Sequence, residues 1–277
     1  MSSSDRRPGP ALTHWQGEPV HVWADLWGVP AVEAWDVVGS TNDRARGWSL
    51  EGARPWSVVV ADAQSAGRGR AGRRWVSASG HGLWFSVVLP DASGPPELVP
   101  LRTGLAVVQA LRATLDAGEI GVKWPNDLWW RDRKLGGILC ESRAGETVVG
   151  VGLNLRTPSV DLVDAAPVGL EEITGEAVPR ARLLGALVRR LRDVLDRGGP
   201  RLSDAELRAL AAHDRLRDRA VSWSEGPGGI ARGVASDGSL ELETDHGTRH
   251  IRSGSVRPIA REGGGSRSTV NVEGEQA

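Results

Sequence analysis

Residues 64–75 run Gln-Ser-Ala-Gly-Arg-Gly-Arg-Ala-Gly-Arg-Arg-Trp, between two short apolar runs at 58–61 and 83–89 that read as strands. Three glycines and four arginines fall between Gly67 and Trp75, so this stretch belongs to a mobile loop crossing the mouth of a sheet. Glycine lets the backbone turn and bring its N–H groups close to an anion, and each guanidinium presents a planar fork of donors. By itself the stretch admits three readings: an anion-gripping loop, a solvated basic loop, or an RNA-binding segment rich in Arg and Gly. It is not a nucleoside-triphosphatase loop, since no Gly-Lys-Ser/Thr closes it. Nor is it a dinucleotide fingerprint, since no helical pattern follows.

The rest of the chain supplies strands around this loop. Residues 32–38 read as a strand ending in Gly39-Ser40-Thr41-Asn42-Asp43, where Ser40 or Thr41 suits the N-cap of a short helix reaching Trp48. Residues 97–116 place Leu101, Leu105, Val108, Leu111 and Leu115 at helical spacing, a helix covering one sheet face. Pro125 ends a strand begun at Ile120, and Asn126 and Asp127 fall in the turn beyond it. Runs at 134–141 and 148–155 read as a hairpin, so the sheet is mixed rather than doubly wound. A helix is expected at 179–197, and Ser203 with Glu206 forms a capping-box pattern for another. After about residue 214 the texture becomes short alternating runs, with a two-residue hairpin signal at Ser236-Asp237-Gly238-Ser239. The fold class expected is therefore α+β, divided as a disordered segment over 1–29, a main domain over 30–213, a small all-β domain over 214–261 and a disordered tail over 262–277.

Charge and composition narrow the chemistry. Lys+Arg number 34 and Asp+Glu 35, a net charge of -1, so no global field recruits nucleic acid or an anionic membrane. The single cysteine, Cys140, excludes an internal disulfide, and no long apolar run or signal-type N-terminus is seen; the expected location is cytoplasmic. Lysine occurs only at Lys123 and Lys134, and asparagine only at positions 42, 126, 154 and 271. A chain that otherwise uses Arg and Asp keeps these side chains where they cannot be exchanged. Four polar stretches stand at strand ends: Ser40–Asn42, 64–75, 123–127, and Lys134 with 150–154. Their lysines, arginines, carboxamides, hydroxyls and single carboxylate suit an anionic, phosphate-bearing substrate with Mg²⁺ held by Asp127.

These motifs together resemble the biotin protein ligases, the biotin–[acetyl-CoA-carboxylase] ligase family. The resemblance rests on Ser40-Thr41-Asn42, Gln64 with Gly67-Arg-Gly-Arg-x-Gly-Arg73 and Trp75, Lys123-Trp-Pro-Asn-Asp127, Lys134-Leu-x-Gly-Ile-Leu-x-Glu141 and Gly150-x-Gly-x-Asn154. It implies a class II synthetase-like mixed sheet with flanking helices and an SH3-like C-terminal β-barrel, of the monofunctional type without an N-terminal DNA-binding domain. It implies activation of biotin by ATP with Mg²⁺ to biotinyl-5′-AMP. Biotin then passes to a lysine of the biotin carboxyl carrier domain of a carboxylase, by a monomer or weak homodimer that binds neither nucleic acid nor membrane. By resemblance, Ser40, Thr41, Asn42, Gln64, Gly67, Arg68, Lys134 and Gly137 bind biotin. Arg70, Arg73, Trp75, Asn126, Asp127, Lys134 and Asn154 bind ATP, and Lys134, Arg70, Lys123 and Asp127 carry the catalysis, Asp127 also as metal ligand and weak candidate base for the transfer. A lipoate or octanoate ligase of similar fold, a non-catalytic biotin sink and an RNA-binding protein are the rival readings.

Overall fold

The computed structural model describes residues 10–91, 93–143, 145–159 and 165–259. Its first described residues correct the expectation of disorder up to 29. A two-stranded hairpin, β1 (His14–Trp15) and β2 (Glu18–Pro19), leads into helix α1 (Val20–Trp27), closed by Gly28 in the left-handed conformation. Polar composition with Pro and Gly hid three anchoring tryptophans. Trp23 stacks on Trp27 at 5.7 Å, Trp15 meets Trp27 edge-on at 6.1 Å, and Trp15 and Trp27 are buried in the main core. A side chain at Gly185 would lie 2.5 Å from Trp27 Cδ1, so that glycine admits the indole. Residues 1–9 and the tail at 262–277 lie outside the described residues.

The body is a seven-stranded mixed sheet. β3 (Val32–Val38) runs parallel to β4 (Val58–Gln64), joined through α2 (Thr41–Leu50). All the other pairings are antiparallel, through β5 (Gly82–Leu89), β6 (Ile120–Lys123), β7 (Asp127–Trp130), β8 (Arg133–Arg143) and β9 (Glu146–Asn154), in the order β3-β4-β5-β9-β8-β7-β6. The expected hairpin of 134–141 with 148–155 is β8–β9. Every residue of β5 is buried, as a central strand covered on both faces requires.

One face packs on α3 (Val99–Leu115) and α5 (Arg180–Leu195), whose leucines and valines join Leu83, Phe85 and Val87 in the main core. Among the described residues, the other face carries a small cluster, Ala45, Val59, Val88 and Val148, under α2. This face is therefore left open beyond α2, where a ligand can lie. A short helix α4 (Leu170–Thr174) follows β9, and α6 (Asp204–His213) starts with the expected capping box, Ser203 with Glu206.

Beyond α6 a second, wholly antiparallel sheet forms from β10 (Ala220–Trp223), β11 (Gly226–Val234), β12 (Leu240–Thr244), β13 (Gly247–Ile251) and β14 (Val256–Pro258), in the order β13-β12-β11-β10-β14. Val221, Leu240, Leu242 and Val256 belong to the same buried cluster as α3 and α5. The two-residue hairpin expected at 236–239 is a three-residue loop instead: Ala235 N–H donates to Ser239 O and Gly238 N–H to Ala235 O, with Gly238 at φ 83°. The extra residue lets Gly238 press on Leu98 at the start of α3, and its carbonyl accepts Trp124 Nε1–H at 3.0 Å.

Candidate active site

The open face of the large sheet holds a cavity of about 350 Å³ at the ends of β3, β4, β7 and β8. Its lining includes Ser40, Thr41, Asn42, Gln64, Arg68, Arg70, Arg73, Trp75, Asn126, Asp127, Lys134 and Gly137. Three of the residues singled out by sequence do not line it: Gly67, Lys123 and Asn154.

At the α2 end of the cavity, Ser40 occupies the N-cap position of α2 but makes no side-chain cap. Gln64, arriving from β4, supplies the cap: its Oε1 accepts Thr41 N–H at 2.8 Å and Thr41 Oγ1–H at 3.1 Å, while its Nε2–H donates to Ser77 Oγ at 2.8 Å. Asn42 is spent on the scaffold, with Nδ2–H donating to Glu141 at 2.8 Å and to Leu139 O at 3.2 Å, and Oδ1 accepting from Ser86 at 2.6 Å. Ser86 was missed in the sequence, although a hydroxyl alternating with Phe85 and Val87 in an apolar strand is the signal that marks it. A Cβ on Gly150 would sit 2.1 Å from Asn42 Oδ1, which requires glycine there.

The charged end is organised by one carboxylate. Asp127 Oδ1 lies 2.8 Å from Lys134 Nζ and Oδ2 lies 3.5 Å from Lys123 Nζ, so both lysines of the chain converge on it. All three are buried. Lys123, behind Asp127, also faces the Trp129 ring at 5.7 Å. Asn126 is clamped to β8 by Nδ2–H donating to Ile138 O at 2.7 Å, and its Oδ1 accepts from Arg70 at 3.2 Å. Burial lowers the Arg70 guanidinium from its ordinary range, against the opposing pull of Asp127. Asn154 is buried, and its amide donates to Val168 O at 3.2 Å and Lys134 O at 3.4 Å, bracing the backbone beneath Lys134.

The Gly/Arg loop has more internal structure than its composition predicted. Gly69 N–H donates to Arg73 O, Trp75 N–H donates to Gly67 O, and a 3-10 turn spans Arg70–Gly72. Trp75 lies on the floor of β8 and β9, where a Cβ at Gly152 would come within 2.7 Å of Nε1 and one at Gly137 within 3.4 Å of the ring. Gly137 and Gly152 face each other in register, leaving a side-chain-free lane. Lys134 Nζ stands 5.5 Å from the Trp75 ring centre.

The donor set around Asp127 is sparse for a metal held by the protein alone. Asp127 is a single carboxylate already paired with two ammonium groups, and no cluster of three or more His, Cys, Asp or Glu suited to a metal occurs among the described residues.

Comparison with known proteins agrees with this geometry. The biotin/lipoate A/B protein ligase family matches residues 35–157. The bifunctional ligase/repressor BirA of Bacillus subtilis is 32% identical over 237 residues, 80% of this chain and 72% of that protein. The biotin–[acetyl-CoA-carboxylase] ligase of Mycobacterium tuberculosis is 33% identical over 228 residues, 79% and 85% of the two chains. The biotin protein ligase of Aquifex aeolicus, solved with biotin and ATP, superposes with a TM-score of 0.75 at 27% identity, over 82% of this chain and 99% of that one. With Lys134, the glycine lane and the cationic loop gathered at one cavity, and with this degree of identity to the biotin ligases, the chain belongs to the biotin/lipoate A/B protein ligase family.

Proposed function

We infer that the protein joins biotin to ATP, forming biotinyl-5′-AMP and pyrophosphate, and then transfers biotin to a lysine of the biotin carboxyl carrier domain of a carboxylase. The observation that carries the reading is the convergence of Lys123 and Lys134 on Asp127 at the cavity. A carboxylic acid with pKa near ~4 to 5 is already ionised at neutral pH, so the first step needs charge neutralisation and placement, not a base.

In this reading Ser40, Thr41 and Gln64 receive the polar head of biotin at the N-terminus of α2. Lys134 stands between the biotin carboxylate and the α-phosphate, and Arg70 and Arg73 offer forks to the phosphates. Lys123 acts from behind, holding Asp127 in place. Mg²⁺ accompanies ATP and supplies further neutralisation of phosphate charge, with Asp127 and Asn126 as the residues that would hold it. Asp127 is already committed to two lysines, which argues against its serving as base toward the incoming amine. Trp75, on its glycine lane, flanks the nucleotide side. The five-stranded C-terminal sheet is read as the SH3-like domain, and the protein as a monomer or weak homodimer in the cytoplasm. No helix among the described residues is long and apolar enough to cross a membrane.

The test is biotin-dependent ATP–pyrophosphate exchange, followed by transfer to a carrier domain. Exchange with biotin and none with lipoate or octanoate is the expected result. Binding of biotin without exchange would reduce the protein to a biotin sink, and exchange driven by lipoate would move it to the other branch of the family.

A further inference from the structure

Arg68 lines the cavity rim, yet its guanidinium is engaged away from the lysines. It forms a bidentate pair with Asp43, Nη2 to Oδ1 at 2.7 Å and Nη1 to Oδ2, and Nη2 also donates to both oxygens of Glu141, at 3.2 and 3.1 Å. Asp43 stands in the first turn of α2 and Glu141 on β8, so one loop side chain ties down to two separate elements. Arg46 reinforces the seat from α2, 3.3 Å from Glu141 and 3.7 Å from Asp43. The fork of arginine suits this geometry, where a lysine would reach only a point contact.

Arg68 is also bridged to Arg74 across the loop, between the Gly69–Arg73 and Gly67–Trp75 hydrogen bonds. Fixing Arg68 therefore fixes both limbs of the loop, and with them Arg70, Arg73 and Trp75. The Arg68 guanidinium holds the Asp43 carboxyl below its ordinary range, so the pair stays charged at neutral pH.

We propose that Asp43 and Glu141 are positioning residues, a two-carboxylate seat that holds Arg68 and keeps the loop closed over the cavity, and so sets how long the acyl adenylate is retained between the two steps. The proposal rests on the ligase reading above and adds the residues that control its intermediate. The seat is partly exposed, with side-chain accessibilities of 51% for Asp43, 35% for Arg68 and 26% for Glu141. Such pairs contribute little to global stability. Their loss is felt as loop opening, not as unfolding.

Asp43 is the cleaner probe, because Glu141 also holds Asn42. The full chain is loaded with ATP, Mg²⁺ and labelled biotin, freed of excess ligand, and the departure of the adenylate is timed. Asp43→Ala is expected to release it about 3- to 10-fold faster, at an unchanged melting temperature and with pyrophosphate-exchange kcat within about twofold of the parent. Added bystander protein should be labelled correspondingly more. Asp43→Glu should restore retention, and Asp43→Asn, which keeps the shape of the side chain at the start of α2, should shift release in the same direction as Ala. In adenylate release alone, with no expectation of spared exchange activity, Arg68→Ala should be at least as fast as Asp43→Ala, and the double variant should add little to Arg68→Ala, as partners in one contact do. Release at the parental rate in both Asp43→Ala and Asp43→Asn, or strict additivity in the double variant, overturns the proposal while leaving the ligase reading intact. Failure of the parent chain to form any adenylate overturns both.

Discussion

Lys134 and Lys123 are the only lysines in the chain, and each is buried against the same carboxylate. A compact ammonium and a planar guanidinium do not share a pocket shape, and Lys134 has Asp127 on one side and the Trp75 ring on the other. Lys134→Arg is expected to lower biotin-dependent pyrophosphate exchange by about 10²-fold although the charge is kept, the scale of removing one oxyanion-stabilising donor; exchange near the parental rate would show that charge alone matters there. Asp127→Asn withdraws one negative charge from beside two buried ammonium groups. That change is expected to destabilise the protein by about 3 kcal/mol, a drop of roughly 6–12 °C in melting temperature for a chain of this size, read by calorimetry without ligand. The lysines stood out in the sequence because they survive in a chain that prefers arginine. That a single aspartate binds both of them was not visible there, since the second lysine reaches Asp127 only through the β7–β8 pairing.

At the scale of the element, the loop and the helix N-terminus decide how the site is shaped. Gly67 has an ordinary backbone angle but no room: an added Cβ would meet Trp75 O at 2.5 Å and Ser77 Oγ at 3.0 Å. Gly67→Ala must push apart the two limbs of the loop at its base, next to Gln64. It is expected to raise the KM for biotin about tenfold, the size of a clash worth ~1–3 kcal/mol, with little change in melting temperature; an unchanged KM would mean that the loop base does not shape the biotin end. The presence of a loop here followed from its glycines and arginines. Its hairpin-like hydrogen bonds and its seating on Asp43 did not, because they depend on the distance between α2 and β8, which no local pattern encodes. The same holds for α2, where Ser40 or Thr41 read as the cap and the bond to the Thr41 N–H comes from Gln64 on a neighbouring strand.

On the scale of the whole molecule, the two sheets are tied together around the turn at 123–127. Trp124, within the Lys123–Asp127 stretch, donates to the Gly238 carbonyl of the C-terminal sheet, and Leu202 N–H donates to Ser236 O. Asp214, at the end of α6, holds the connection through Oδ1, which accepts Leu216 N–H, whereas its Oδ2 is buried without a hydrogen-bond partner. Burial raises the Asp214 carboxyl above its ordinary range. A raised pKa means that its contribution to stability is present below the unfolded-state value and is lost as pH rises through the folded-state value. Asp214→Asn removes that penalty, so it is expected to be more stable than the parent at pH 8, with the difference shrinking toward pH 4 in thermal unfolding. A constant difference across that range would show that the charge of Asp214 carries no such penalty. Asp43 and Asp237 act the other way: hydrogen bonding from Arg68 lowers the first, and from Ser239 and then Arg252 the second. Their stabilisation is present above the ordinary carboxylate value of ~4 and is lost as pH falls through their depressed values.

By itself the sequence determined the alternation that makes strands, the 3.6-residue period that makes α3 and α5, the capping box of α6 and the inventory of groups at the strand ends. Each of these is set by neighbours within a few residues, so a local pattern suffices. Tertiary structure alone decided that Trp15, Trp23 and Trp27 build an anchored N-terminal hairpin and helix, because the Trp27 indole to which the other two pack is seated against Gly185 far along the chain. It alone decided that Asn154 braces backbone, that Asn42 is held by Ser86 and Glu141, and that Arg68 points at carboxylates. The roles of these polar side chains follow from which partner lies within about 3 Å, a distance that only the pairing of strands remote in sequence creates.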